Sequence, residues 1–192
     1  MKFDLIVMGG SSSAAEAIAR VLAELPADFP ACIAIVLAAE DRPRNMADIL
    51  GRRTAMRVAY AQPGERLRKG AVFLAPPGVH LVVGPGPDFT LEVQDGPRVQ
   101  HARPSADRLF QSAAQALGSR VIGVVLSGGD GDGAAGLRSI KAAGGVTVTQ
   151  SPADASRPHM PSHAILHDSP DHVVLTEELG PLLQALVEAR RR

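Results

Sequence analysis

Short apolar runs rich in Val, Ile and Leu alternate along the chain with longer, alanine-rich stretches of helical periodicity. Residues 3–8 have the character of a buried strand, and residues 14–25 have that of an amphipathic helix following it. Residues 120–126 and 134–143 repeat this pair in the second half of the chain. Because parallel strands need crossover helices, the alternation predicts an α/β fold: a doubly wound, mostly parallel sheet flanked by helices on both faces.

The middle third of the chain interrupts that alternation with closely spaced prolines and glycines. Val83 and residues 89–93 flank a turn-rich segment, which predicts a small β-hairpin rather than another crossover unit. A helix is expected from about residue 105 to 117, with Ser105 as its N-cap. Further helices are expected at 44–54, at a short segment opened by Met160, and at 177–190.

Length, net charge, apolar runs and cysteine content limit which class of protein this chain can belong to. With 192 residues we expect a single domain, spanning residues 1–192. Lys plus Arg and Asp plus Glu number 20 each, so no net field favours nucleic acid as a partner. No apolar run is long enough to span a membrane, the start lacks the features of a signal peptide, and one cysteine cannot form an internal disulfide. We expect a cytoplasmic protein without direct membrane insertion.

Two strand-to-helix loops hold the candidate functional residues. Residues 9–13 place three serines at a predicted helix start, where free backbone N–H groups can hold an oxyanion. Residues 127–133 form a glycine-rich loop that carries Asp130 and Asp132. Taken alone, each loop is as well explained by helix capping or turn formation. The first loop lacks the dinucleotide and Walker fingerprints, and we expect no cofactor and no metal.

Several segments together carry a family resemblance that covers nearly the whole chain. They are residues 7–12 (VMGGSS), 73–80 (FLAPPGVH), 103–110 (RPSADRLF), 123–137 (GVVLSGGDGDGAAGL) and Met160-Pro161. In this order they resemble the CheB family, the methylesterases that remove methyl groups from glutamate side chains of bacterial chemoreceptors. The resemblance implies a serine hydrolase acting in chemotaxis-type signalling, with a methylated chemoreceptor segment or a related signalling protein as partner.

The resemblance also assigns roles to positions of this sequence. It implies that Ser11 is the nucleophile, that Asp132 is the acid of a catalytic triad, and that the backbone N–H groups of Ser12 and Gly129 form the oxyanion hole. Family members usually carry an N-terminal receiver domain. This chain begins at its first predicted strand, and we expect no receiver domain.

The sequence departs from the family at the histidine of the triad. The position that the family fills with histidine after its second strand is Leu37, and Ser13 and Ala14 replace the family's glycine pair. His159, in the loop after the strand at 145–149, is the candidate substitute base; a solvated loop residue is the alternative for it, and His80 is expected to be structural.

Two hypotheses therefore remain open: an esterase that uses Ser11 and Asp132, and a catalytically silent member that acts by binding. A phosphate-binding or small-molecule-binding module at the helix start after Ser11 is a weaker third.

Overall fold

The computed structural model describes residues 5–38, 45–86 and 88–189. The strands are β1 (Leu5–Ser11), β2 (Cys32–Ala38), β3 (Arg57–Tyr60), β4 (Glu65–Arg66), β5 (Ala71–Leu74), β6 (His80–Val83), β7 (Thr90–Gln94), β8 (Val121–Val125), β9 (Val146–Gln150) and β10 (His172–Val174). The α-helices are α1 (Ala15–Glu24), α2 (Met46–Gly51), α3 (Ala106–Leu117), α4 (Ala134–Ala142), α5 (His159–Asp168) and α6 (Thr176–Ala189).

Seven strands form one sheet in the order β10-β9-β8-β1-β2-β5-β3, and every pairing in it is parallel. The chain starts at the central strand β1, proceeds outward through β2 on one side, and later fills the other side through β8. Ligand sites in such sheets lie at the carboxyl ends of the strands, next to the point where the strand order reverses. Ser11 ends β1, so it lies at that place.

Successive residues of the central strands face opposite helical layers. Ile6 and Met8 belong to a buried cluster with residues of α1, α2 and α6, whereas Leu5 and Val7 belong to a second cluster with residues of α3, α4 and α5. A strand that is buried on both faces reads as a continuous apolar run, which is what residues 5–8 show. The predicted doubly wound α/β fold is confirmed.

The predicted hairpin is also present. Strands β6 and β7 pair antiparallel, with Val83 opposite Leu91, and β4 adds a third antiparallel strand to this small sheet. The Ser112 hydroxyl of α3 accepts a hydrogen bond of 2.9 Å from the Val83 amide, which attaches the small sheet to the helical layer. The two-residue strand β4 was not predicted, because two residues are too few to show the alternation of apolar and polar positions that is typical of a strand.

Helix bounds differ from those expected by one residue at several ends and by more at α2. Helix α2 covers Met46–Gly51 rather than 44–54, and residues 39–44 lie outside the described part. Thr54 donates to the carbonyl of Leu22 and accepts from the amide of Met56, so the chain has turned by that point. Helix α5 begins at His159, one residue before the expected start, and Ser105 caps α3 as predicted. None of the helices in the described ranges has the length and apolar character of a membrane span.

Candidate active site

Ser11 lies where the central strand gives way to a helix. It is the last residue of β1 and caps the 3₁₀ turn Ser12–Ala14, which leads into α1. Its backbone is extended, its side chain is half-buried, and its Oγ accepts a hydrogen bond of 3.3 Å from the Ser13 amide. Ser12 next to it is exposed. This strand-to-helix turn holds the Ser11 hydroxyl at the carboxyl end of the central strand.

A chain of serine hydroxyls connects Ser11 to the glycine-rich loop. The Oγ atoms of Ser11 and Ser13 are 2.8 Å apart, and those of Ser13 and Ser127 are 2.7 Å apart. The Ser127 hydroxyl accepts from the Arg157 amide at 2.8 Å and donates to the Arg157 carbonyl at 3.4 Å. None of these groups takes up a proton near neutral pH, because aliphatic hydroxyls and backbone amides do not titrate there.

The loop of residues 127–133, between β8 and α4, is fixed to the end of β1. The Ser11 amide donates to the Ser127 carbonyl at 3.0 Å, and the Gly128 amide donates to the Arg157 carbonyl at 2.9 Å. A Cβ on Gly128 would lie 1.9 Å from the sulfur of Met160, so any other residue there would displace the Met160 side chain. Gly129 is exposed, and a Cβ at that position would be 3.3 Å from the guanidinium of Arg157. The loop backbone is therefore held close to Ser11 and open to solvent at Gly129.

Asp132, the predicted acid, is almost fully buried, with 2% of its surface exposed. Its carboxylate accepts from the Ser105 hydroxyl at 2.8 Å, from the Ala106 amide at 2.5 Å and from the Asp107 amide at 2.9 Å. Burial raises the pKa of Asp132 to about 7, although these donors favour the ionised form. The carboxylate thus caps helix α3.

Asp107, in the first turn of α3, makes the reciprocal contacts. Its Oδ1 accepts from the Gly133 amide at 3.0 Å and from the Gly136 amide at 2.7 Å, at the start of α4. Burial raises the pKa of this carboxyl as well. Sequence reasoning missed Asp107. The Arg-Pro-Ser-x-Asp start of the helix was its only signal, and that signal does not reveal a partner in another helix.

Position 37 provides no base to this site. Leu37 is fully buried, pairs with Gly10 in the β1–β2 register, and belongs to the apolar cluster that faces α1, α2 and α6. The side chain is therefore part of the core, one residue before the position opposite Ser11.

His159, the candidate substitute base, is exposed at the first residue of α5. Its ring stacks on that of His163 with centroids 6.2 Å apart, and the rings of His163 and His167, with centroids 4.2 Å apart, are tilted by 46° to each other. Burial, with repulsion by the neighbouring histidines, lowers the pKa of His163. Within the described residues, the hydrogen bonds of the Ser11 hydroxyl go to Ser13, and no histidine is among its partners.

Two further features complete the surroundings. His80 is 1% exposed and its Nε2 lies 2.8 Å from the Pro97 carbonyl, which places it in the core beside the small sheet. A polar cavity of about 130 Å³ opens beside Ser13, lined by Ser13, Glu16, Arg20, Gln150, Asp154 and Thr176, among others. Within the described ranges, no group of three or more His, Cys, Asp or Glu side chains is arranged to hold a metal ion.

A model of the CheB methylesterase family matches residues 6–183 of this chain. The chain belongs to the CheB methylesterase family. Its expected family is thereby confirmed.

Relatives in the family are similar over most of the chain. A protein-glutamate methylesterase/protein-glutamine glutaminase of Bordetella avium is 41% identical over 172 residues, which cover 88% of this chain and 49% of that protein. The protein-glutamate methylesterase FrzG of Myxococcus xanthus is 35% identical over 187 residues, which cover 97% of this chain and 55% of FrzG. The chain thus spans about half the length of these relatives.

Two other proteins are similar to this chain over nearly their whole length. A Leptospira interrogans relative is 34% identical over 185 residues, with 95% of this chain and 94% of that protein covered. The crystal structure of the Thermotoga maritima CheB methylesterase catalytic domain superposes with a TM-score of 0.92, covering 97% of this chain and 100% of that domain at 24% identity. That structural likeness supports the α/β fold described above.

Proposed function

We propose that this CheB methylesterase domain is a protein-glutamate methylesterase of chemotaxis-type signalling. Its substrates in this proposal are methyl-esterified glutamates in a chemoreceptor segment or in a related signalling protein, and it acts in the cytoplasm. The relatives' names supply the substrate class. The proposal takes residues 1–192 as one methylesterase domain.

The reaction is an acyl transfer through a serine ester. The Ser11 oxygen attacks the ester carbonyl, the bond to methoxide breaks, and the proton lost by Ser11 ends on the methoxide, which leaves as methanol; water then hydrolyses the acyl-enzyme and restores the Ser11 hydroxyl. Negative charge develops on the carbonyl oxygen, and we assign its stabilisation to the backbone N–H groups of Ser12 and Gly129. Asp132 keeps the glycine loop in register with α3, so the loop presents Gly129 at a fixed position.

One observation carries this proposal: Ser11, at the end of the central strand, is bonded through its own amide to the loop that contains Gly129. That bond of 3.0 Å supports the proposal because it ties the backbone of the candidate nucleophile to the loop that carries the candidate oxyanion donor. Pre-organised donors next to a nucleophile are the main source of catalysis in such sites.

The missing base determines the expected rate. In serine hydrolases, loss of the base alone lowers turnover by about a million-fold, while oxyanion stabilisation and binding leave about a thousand- to ten-thousand-fold acceleration over water. We therefore propose a slow esterase, with His159 as the candidate base if a loop movement brings it to Ser11.

A second candidate function follows from Leu37. Because that side chain is fully buried in the core, position 37 of β2 offers no group that could take the Ser11 proton. A domain of this kind that bound the esterified receptor segment without turnover would act as a binding or regulatory module in the same pathway.

Methanol release from a methyl-esterified receptor segment tests the proposal. The native chain, Ser11→Ala and the control Ser162→Ala, an exposed serine on α5, are compared at equal concentration. The proposal expects slow release that Ser11→Ala abolishes and Ser162→Ala leaves unchanged. Equal release by native chain and Ser11→Ala contradicts it. No release, combined with tighter binding of the esterified than of the unesterified segment, favours the binding module.

A further inference from the structure

We infer that Ser13 is a positioning residue for Ser11, and that the reactivity of the Ser11 oxygen depends on a hydroxyl at position 13. The inference deepens the proposed function, because it rests on Ser11 as the nucleophile. It starts from a contact that is tertiary in character: the Ser13 hydroxyl joins residues 11 and 127, which are 116 positions apart in sequence.

The direction of the hydrogen bonds between the three serine hydroxyls follows from the partners of Ser127, the last of them. The Ser127 hydroxyl donates its one proton to the Arg157 carbonyl and accepts from the Arg157 amide. Since each hydroxyl has one proton to donate, Ser13 donates to Ser127, and Ser11 donates to Ser13. The Ser13 amide donates to the Ser11 oxygen from the other side. Ser13 thus holds both the proton and a lone pair of Ser11.

This arrangement fixes where the Ser11 oxygen lies. Ser127 follows β8, and β8 lies on the opposite side of β1 from β2, the strand that carries Leu37. The hydroxyl chain therefore draws Ser11 toward the glycine loop and away from position 37. When the Ser13 side chain is removed, the Ser13 amide still donates to the Ser11 oxygen, but the hydroxyl link to Ser127 is lost and the Ser11 side chain is held less tightly in its position.

Labelling of Ser11 by a fluorophosphonate measures the effect without any methyl-ester substrate. The serine oxygen forms a bond to phosphorus, fluoride leaves, and the serine proton passes to solvent. Second-order rates are taken from intact mass, and the labelled residue is identified by peptide mapping. The variants are Ser13→Ala, Ser13→Thr and Ser127→Ala, with Ser162→Ala as the matched control.

We expect Ser13→Ala to slow labelling by about 3- to 10-fold, the rate equivalent of one hydrogen bond. Ser13→Thr keeps the hydroxyl and should stay within about 2-fold of native, and Ser127→Ala should fall between native and Ser13→Ala. Ser162→Ala should label as the native chain does. Rescue by threonine is the readout that a merely structural role for residue 13 would not give, and thermal unfolding confirms that each variant is folded.

Labelling of Ser13→Ala at the native rate or faster overturns the inference, as does Ser13→Thr labelling as slowly as Ser13→Ala. A native chain that is not labelled at Ser11 overturns it too. The proposed function fails separately: Ser11 can show the expected order of labelling rates while methyl esters of receptor glutamates release no methanol.

Discussion

Asp107 and Asp132 cap each other's helices. Asp132 precedes α4 and accepts three hydrogen bonds at the start of α3, while Asp107, within the first turn of α3, accepts two at the start of α4. Carboxylates at helix N-termini satisfy free amides and interact favourably with the helix dipole. The pair therefore fixes α3, α4 and the glycine loop as one unit beneath Ser11.

Removal of either carboxylate should destabilise the domain. We expect Asp132→Ala and Asp107→Ala each to lower the free energy of unfolding by about 2 to 3 kcal/mol, because buried amides lose their acceptors. Asp95→Ala, at an exposed loop position, should change it by less than about 0.5 kcal/mol. Urea unfolding measures all three. Strict additivity in the double variant would contradict the coupling, since residues in one network are expected not to add.

The pH dependence of stability should report Asp132. Its pKa is raised from 3.8 to about 7 in the folded chain, so its protonated form favours folding. That contribution is fully present below pH 3.8 and is lost as the pH rises through about 7. The free-energy difference between native chain and Asp132→Asn should therefore shrink or change sign over this window. Urea unfolding at several pH values measures it, and a difference independent of pH would refute the shift.

Two helical glycines should respond in opposite ways to alanine. A Cβ on Gly136 of α4 would lie 2.4 Å from Cβ of Phe110, whereas a Cβ on Gly51 of α2 meets nothing closer than 3.7 Å. Alanine favours a helix over glycine by about 1 kcal/mol. We expect overpacking to outweigh this in Gly136→Ala, with a net loss of about 1 to 2 kcal/mol, and Gly51→Ala to be neutral or stabilising. Thermal unfolding gives the sign, and a stabilised Gly136→Ala would contradict the close α3–α4 contact.

The fold was predictable because its signal is local and repeated. Alternating strand and helix patterns determine a doubly wound sheet, and the resemblance placed Ser11 and residues 127–133 at one sheet edge. The short strand β4 and the bounds of α2 were not predictable in the same way. Their ends depend on tertiary hydrogen bonds, such as that from Thr54 to the Leu22 carbonyl.

The sequence allowed us to predict several residues of the site but not the hydrogen bonds that join them. Ser13 and Ser127 both lie in loops that the sequence analysis singled out, but only the fold shows that their Oγ atoms are 2.7 Å apart. The same holds for Asp107 and Asp132, whose capping roles depend on how two helices are placed.

The most direct test of the account is methanol release by Leu37→His compared with the native chain and with Leu37→Gln, which is polar but offers no base. Both substitutions put a polar group into the core, at a cost of about 2 to 4 kcal/mol in the free energy of unfolding, so folding is checked first. A positioned base contributes about a hundred- to ten-thousand-fold. Because the hydroxyl chain holds Ser11 away from position 37, we predict a rise at the lower end of that range, about a hundred-fold, in Leu37→His and none in Leu37→Gln. A native chain that already turns over rapidly, with Leu37→His no faster, would contradict the claim that the site lacks the base that a histidine at position 37 would supply.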